Sequence, residues 1–491
     1  MLRNYFVTAI RVLKRNFIYS LINTIGLSMG LAGSFVIGTW VWQELNYDTH
    51  FYDYNKIHRV SVSFFSSGAF ASGPDILKST LLETASEVEL VTAINKSRPT
   101  KLNINQNSFE AILHYADSNF FDVFQYEFLY GDAKTALDEL NNVVISEEFA
   151  KNWFGTTDAL GKVVKKGEDD VEFIITGVVK IPDGPSHLAA EVWFPLEISD
   201  GANWTGAGNY FYVKLDDHAN AYDLNKRLEL IRKELVYPTL IQGNSYEEWV
   251  SMNIFNFHTV ALEDIHLNPD MRFEMQPGGN RANVYIFLSV SIFLLLIAAI
   301  NFINLSTALS VKRAKEVGIR KALGTSKGKL ISQYLVESLI LSLLSTVLAV
   351  GLAELFLILF ENFTNERLLE GLFVSFYQLL LFIAISLVVG FCAAIYPAFY
   401  LSRFQVIKTL KGKTSRDGKF LRKSLVVIQF TISIIMISSS MMVYQQLNFL
   451  SKVDIGLKRV NVLVVKNMKM LGEQLESFKG ELLQYSGVAS A

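Results

Sequence analysis

The sequence predicts an α-helical integral membrane protein with a large α/β domain between its first and second spans. Three observations lead there. The 491-residue chain is 51% hydrophobic, with a mean hydropathy of +0.28, more apolar than a soluble protein of this size. Its apolar residues gather into runs long enough to cross a bilayer, near 17–42, 284–310, 333–360, 374–401 and 424–447. Between the first two lies a long polar stretch, 43–283, with the text of a soluble fold.

The first run follows a cationic start, residues 1–16, with Arg3, Arg11, Lys14 and Arg15. At roughly 26 residues it exceeds the roughly 7–15 of a signal-peptide core, so it reads as an uncleaved anchor. Trp40, Trp42 and Tyr47 gather at its far end as an interfacial belt would. Residues 3–15 are amphipathic and suit the inner surface of the membrane, in contact with lipid.

Loop charge assigns the sides. From Lys312 to Ser332 stand Lys312, Arg313, Lys315, Arg320, Lys321, Lys327 and Lys329 against Glu316 alone. Short loops this basic stay cytoplasmic, which makes 311–332 an inward-facing loop and the N-terminus cytoplasmic. The 402–423 loop is equally basic, and 411–423 forms a cytoplasmic linker before the 424–447 span. The 361–373 loop carries Glu361, Glu366 and Glu370 against Arg367, an outside composition. These assignments alternate as five spans require. Residues 448–491 then read as the start of a second outside segment, incomplete.

Within 43–283, strand patterns cover Asn142–Ile145 and Glu172–Val179, and helix patterns cover Ser146–Trp153 and Tyr222–Leu235. Such a block can bury its own core, in one or two subdomains.

Several chemistries are expected to be absent. Gly412-Lys413-Thr414 resembles the end of a phosphate-binding loop, but Ile407 stands where its first glycine belongs. The stretch Gly324–Lys329 is one residue too short. The expectation is a chain without catalytic residues, metal or cofactor of its own. The histidines show no ligand spacing, no basic tail suggests nucleic acid, and the only cysteine, Cys392, reads as a small buried residue. Gly26–Gly30 matches a nucleophile elbow in letters, but within a span it is better read as GxxxG helix packing. Asn301 and Asn304 read as interhelical glue, and Glu337 and Glu354 lie within reach of an interface, for snorkelling or helix pairing.

Glu316-Val317-Gly318-Ile319-Arg320-Lys321-Ala322-Leu323-Gly324-Thr325-Ser326, running on to Gln333 and Glu337, resembles the signature of FtsX/MacB-type permeases of ABC transporters. Asp117–Phe124, Val143–Gly155, Leu160-Gly161-Lys162 and Gly177–Pro195 resemble the MacB-type periplasmic core domain. Leu45–Tyr54 and Ile57–Val60 are similar to the two-repeat permeases of Bacteroidetes-type bacteria. The resemblance implies a bacterial inner-membrane permease subunit: 43–283 as the core domain and 284–410 as the FtsX-like part. It also implies a cytoplasmic ABC ATPase partner, a homo- or heterodimer of permeases, and an extracytoplasmic adaptor or substrate protein. Glu316, Gly318, Arg320, Lys321 and Gly324 carry over as the ATPase-coupling loop, with Gly324 as a helix C-cap. The function implied is export or extraction at the envelope, driven by a separate ATPase. Alternatives are an FtsX-like mechanotransmitter acting on a cell-wall hydrolase and an anchored receptor without ATPase.

Single cysteines at Asn105, Lys327, Glu366 and Lys413, in a Cys392→Ala background, test the topology with a membrane-impermeant thiol reagent. The expected labelling is outside, inside, outside, inside; labelling of Lys327 from outside would overturn the scheme.

Overall fold

The computed structural model describes all residues except 1, 66–67, 97–99, 105–106, 168–169, 199–202, 241–242, 244, 269, 313, 365–375, 403–416, 454–462, 464, 466–473, 489 and 491. The expected outside loop at 361–373 and the basic cytoplasmic loop at 402–423 fall largely outside the described residues. The structure divides into two compact units, Met1–Gln429 and Phe430–Ala491.

In the first unit a short helix, Leu2–Arg15, leads into the first long helix, Phe17–Leu45. At ~1.5 Å per residue this spans ~43 Å, more than the ~30 Å hydrocarbon layer. The second long helix is Arg281–Lys312, the third Lys327–Thr364 and the fourth Phe376–Ser402. Among the described residues, Phe17–Leu45, Arg281–Leu309, Lys327–Asn362 and Arg422–Lys452 are long and apolar enough to cross a membrane, and Leu379–Ile395 is a shorter apolar helix. The helices overrun the apolar runs, because a helix satisfies its own backbone outside the hydrocarbon as well as within it.

The first and second helices pack antiparallel at close range. A Cβ on Gly30 would lie 2.4 Å from Ala298 Cβ, and one on Gly26 2.8 Å from Asn301 Nδ2. Their register is pinned by Tyr19 Oη donating to Ser306 Oγ (2.7 Å) and by the Ser34–Ser291 hydroxyl pair (2.7 Å). The GxxxG glycines thus face a neighbouring helix. Glu337 is buried, not snorkelling, and Glu354 Oε1 is buried without a hydrogen-bond partner. Cys392 is exposed, not buried.

Between the first two long helices stands the α/β domain. Its strands are β1 (Ile57–Phe64), β2 (Val88–Lys96), β3 (Thr100–Ile104), β4 (Asn107–Ala111), β5 (Leu113–Ala116) and β6 (Glu127–Gly131). They continue as β7 (Asn142–Ser146), β8 (Val163–Lys166), β9 (Val171–Lys180), β10 (Val192–Pro195), β11 (Tyr210–Leu215) and β12 (Phe255–Ala261). All join one mixed sheet in the order β12-β1-β11-β2-β5-β10-β7-β9-β8-β3-β4, with β6 beside β9. The pairs β5–β10 and β7–β9 are parallel. One core packs helices Ile76–Thr84, Ala221–Ile231 and Tyr246–Ser251 on β1, β2 and β11, with Trp249 and Phe211 fully buried. Another packs helix Glu147–Phe154 on β3, β7, β8 and β9. An aromatic cluster around Phe120, Phe121, Phe124, Tyr126 and Trp193 fills the middle.

Local chemistry accounts for the elements. Ser146 caps Glu147–Phe154 by accepting from Phe149 N–H (3.1 Å), and Gly155, at φ 70, ends it. The Glu147-Glu148 pair therefore complements a helix N-terminus, with Glu147 paired to Lys151 at 2.6 Å. Asn220 and Asp223 form a capping box on Ala221–Ile231.

In the second unit, the helix Asp417–Lys452 crosses the boundary and is largely exposed along its described length; a short helix, Leu475–Leu482, follows.

The buried imidazoles make the domain acid-sensitive. His114 is fully buried with neither ring nitrogen hydrogen-bonded, and burial, aided by Lys96 and His187, lowers its pKa to about 3. Burial also lowers His50, His58 and His258. Below about pH 6.5 the unfolded chain binds protons that the folded chain refuses, so stability falls as the pH drops from about 6.5 toward 3. Each such proton contributes a slope of about 1.4 kcal/mol per pH unit. In urea melts of the excised domain at pH 7, 6 and 5, His114→Phe should remove about one proton's worth of that slope. An unchanged slope would refute the assignment.

Candidate functional site

At the end of the bundle away from the domain, the second and third long helices are joined by a helix, Ala314–Ala322. Glu316 sits in its first turn and Arg320 and Lys321 in its last, each complementing the helix dipole. Its end is a Schellman motif. Gly324 N–H donates to Lys321 O and Thr325 N–H to Arg320 O, both at 3.0 Å, with Gly324 at φ 91. A left-handed residue is required there, and glycine meets that requirement without strain. The chain reverses through Leu323–Ser326 and enters the third helix at Lys327.

The inner face is tied down. Val317 and Leu330 are buried against each other and Tyr334. Arg320 Nη2 donates to Glu316 Oε1 (2.7 Å), while Nη1 donates to Gln333 Oε1 on the third helix (3.0 Å). Glu316 Oε2 accepts from Arg15 Nη2 (3.3 Å), which reaches across from the N-terminal helix. These side chains are more than a third exposed, so each ion pair contributes only ~0–1 kcal/mol. Their consequence is geometric: one carboxylate and one guanidinium link three helices.

The outer face is different. Ile319 is 52% and Leu323 82% exposed, one helical turn apart. Exposed Lys327 and Lys329 lie just beyond, and Lys321 is half-buried, its pKa lowered by burial and by Lys327. The result is an apolar knob with a cationic edge. Burying a leucine of this kind stabilises by ~1.5–3 kcal/mol.

The five residues singled out in the sequence therefore fall on one helix and its cap but play unlike parts. Glu316 and Arg320 brace the helix, Gly318 is buried within it, Lys321 flanks its outer face, and Gly324 stops it. Sequence reasoning missed Ile319 and Leu323, though an apolar pair four apart in a cationic helix was a visible signal. It also missed Arg15, whose partner is 301 positions away.

Residues 20–231 match the family model of the MacB-like periplasmic core domain, and residues 288–406 that of the FtsX-like permease C-terminal domain. It is similar to the macrolide export ATP-binding/permease protein MacB of Bdellovibrio bacteriovorus, 23% identical over 55% of this chain and 38% of that protein. It is also similar to the uncharacterised ABC transporter permease YknZ of Bacillus subtilis, 26% identical over 43% of this chain and 47% of that protein. The chain thus spans less than half the length of either relative. Among solved structures, the periplasmic region of MacB from Actinobacillus actinomycetemcomitans matches at a TM-score of 0.29 and 19% identity, over 41% of this chain and 88% of that one.

Replacing Gly324 by Ala meets no neighbour within 4 Å, so its cost is the left-handed backbone alone, ~1–2 kcal/mol. Hydrogen exchange at Leu323–Thr325 should accelerate roughly 5–30-fold. A rate change confined to the extracytoplasmic domain, with none at the cap, would contradict this reading.

Proposed function

We propose that this chain, an FtsX/MacB-type ABC transporter permease with a large extracytoplasmic domain between its first two spans, couples ATP hydrolysis by a separate cytoplasmic ATPase to export or extraction of a substrate at the cell envelope. Its matches to the periplasmic core and the FtsX-like permease models, in that order along the chain, support the permease role. The observation that carries the coupling is the loop helix. A braced helix presenting Ile319 and Leu323 with lysines at its edge is what a docking element needs: fixed direction, apolar contact area and charge for orientation. On this reading Ile319 and Leu323 make the contact, while Glu316 and Arg320 hold it in register. The N-terminus and this loop lie in the cytoplasm, ATP is bound by the partner, and two permease chains assemble around the ATPase pair.

Pull-down of the ATPase from detergent extracts with equal permease tests this. Leu323→Glu, which puts charge on the contact face, should lower recovery at least tenfold, and Ile319→Ala several-fold. The Glu316→Lys/Arg320→Glu exchange keeps an ion pair within the helix but sets the introduced lysine against Arg15, and should weaken pull-down less than Leu323→Glu. Undiminished recovery with Leu323→Glu would remove the loop helix from the contact.

A further inference from the structure

The first span does not end in a free loop. Asp48, just beyond its last helical residue Leu45, is fully buried and adopts a left-handed backbone at φ 61. Its N–H donates to Pro185 O (2.9 Å). Its carboxylate accepts from Ser186 Oγ (2.5 Å), His187 N–H (3.2 Å) and His187 Nδ1 (2.6 Å). A buried carboxylate is tolerable only with such partners.

The chain of contacts continues inward. His187 Nε2 lies 2.6 Å from Tyr212 Oη, and Tyr212 stands beside Arg59 on the neighbouring strand. A carboxylate only accepts, so His187 Nδ1 carries the hydrogen and donates to Asp48, and in that tautomer Nε2 accepts from the Tyr212 hydroxyl, whose ionisation burial opposes. Arg59 Nη1 and Nη2 donate to Glu274 at 2.7 and 2.6 Å. Arg59 on β1 and Tyr212 on β11 are direct register partners in the sheet. Glu274 lies just ahead of the second-span helix, which begins at Arg281. A largely buried row of polar side chains thus runs from just beyond the first span, across two neighbouring strands, to Glu274 in the segment that leads into the second span.

Fold stability does not demand such a path. Apolar residues of similar volume often stabilise a core as well as or better than buried ions. What hydrogen-bonded ions add is a single geometry. The tie between Arg281 and Asp264 nearer the membrane is about half exposed and cannot hold an angle in the same way.

We infer that Asp48 and His187 form the joint that fixes the first span to the sheet, so that displacement of the span is delivered to the extracytoplasmic domain. Both are positioning residues, and the inference rests on the ATP-driven role proposed above. The test is a pulsed electron-electron resonance distance between spin labels in nanodisc-embedded protein. The labels are placed at Met29→Cys, exposed on the first span, and Tyr222→Cys, exposed on the domain, in a Cys392→Ala background. The expected result is a narrow distribution that at least doubles in width with Asp48→Ala and with His187→Ala. Asp48→Asn, which keeps the oxygen facing Ser186, should fall between, while the domain still melts cooperatively. An unchanged width with a folded domain would overturn the inference. So would a width that tracks loss of domain melting across the variants, which would make the path part of the fold only. Because no ATPase is present, the measurement reads the joint even where the ATPase pull-down fails.

Discussion

The close approach of the first and second spans is the constraint on which the rest depends. At Gly30 and Gly26 the absence of a side chain lets Ala298 and Asn301 occupy space that a Cβ would claim. Close contact is the main source of helix association in lipid, where no hydrophobic effect separates one apolar surface from another. With these two helices in contact along their length, Leu45 and Arg281 emerge side by side. A domain of more than two hundred residues can then be inserted between them as a closed excursion. The ties Glu44–His266 (2.9 Å) and Tyr47 stacked on His266 (3.7 Å) are possible only because the two exits are neighbours.

Features set by nearby residues were readable in the sequence. Ser146 before an acidic first turn and Gly155 after it announced a helix, and the structure has one there. Gly324 announced a helix stop because the Schellman turn needs a left-handed residue within two positions of the last carbonyls it satisfies. The apolar runs announced helices of membrane length, and what they missed was where the helices end. The third helix starts at Lys327 because the turn at Gly324 releases the chain there, well before the apolar run at 333.

Features set by distant residues left no local trace. The pairing of Asp48 with His187 joins positions 139 apart, and Arg59 with Glu274 joins positions 215 apart. Asp48, Arg59 and His187 each lie in stretches that carry the family resemblance, but nothing local pairs them. Glu337 looked able to reach water, but the third helix turns it inward among neighbouring helices. In each case tertiary packing, not the residue's own preference, decides its environment. The loop helix shows the same division. The resemblance singled out Glu316 and Arg320, yet the fold uses both for bracing and leaves the apolar pair outward.

On the proposed role, these two kinds of contact assign a direction to the machine. A push on the loop helix is not absorbed by a hinge. Arg320 passes it to the third helix through Gln333, and Glu316 passes it to the N-terminal helix through Arg15. The N-terminal helix runs almost directly into the first span, with Asn16 between them. The first span is packed along the second through small residues, so the pair moves together or not at all. At the far end both are fastened to β1 and β11 by the buried path through His187 and Tyr212. The exposed ion pairs at the loop are individually weak, while the buried joint is fully desolvated. On that role the exposed pairs orient the loop helix, and the buried joint supplies the single geometry through which motion would enter the domain.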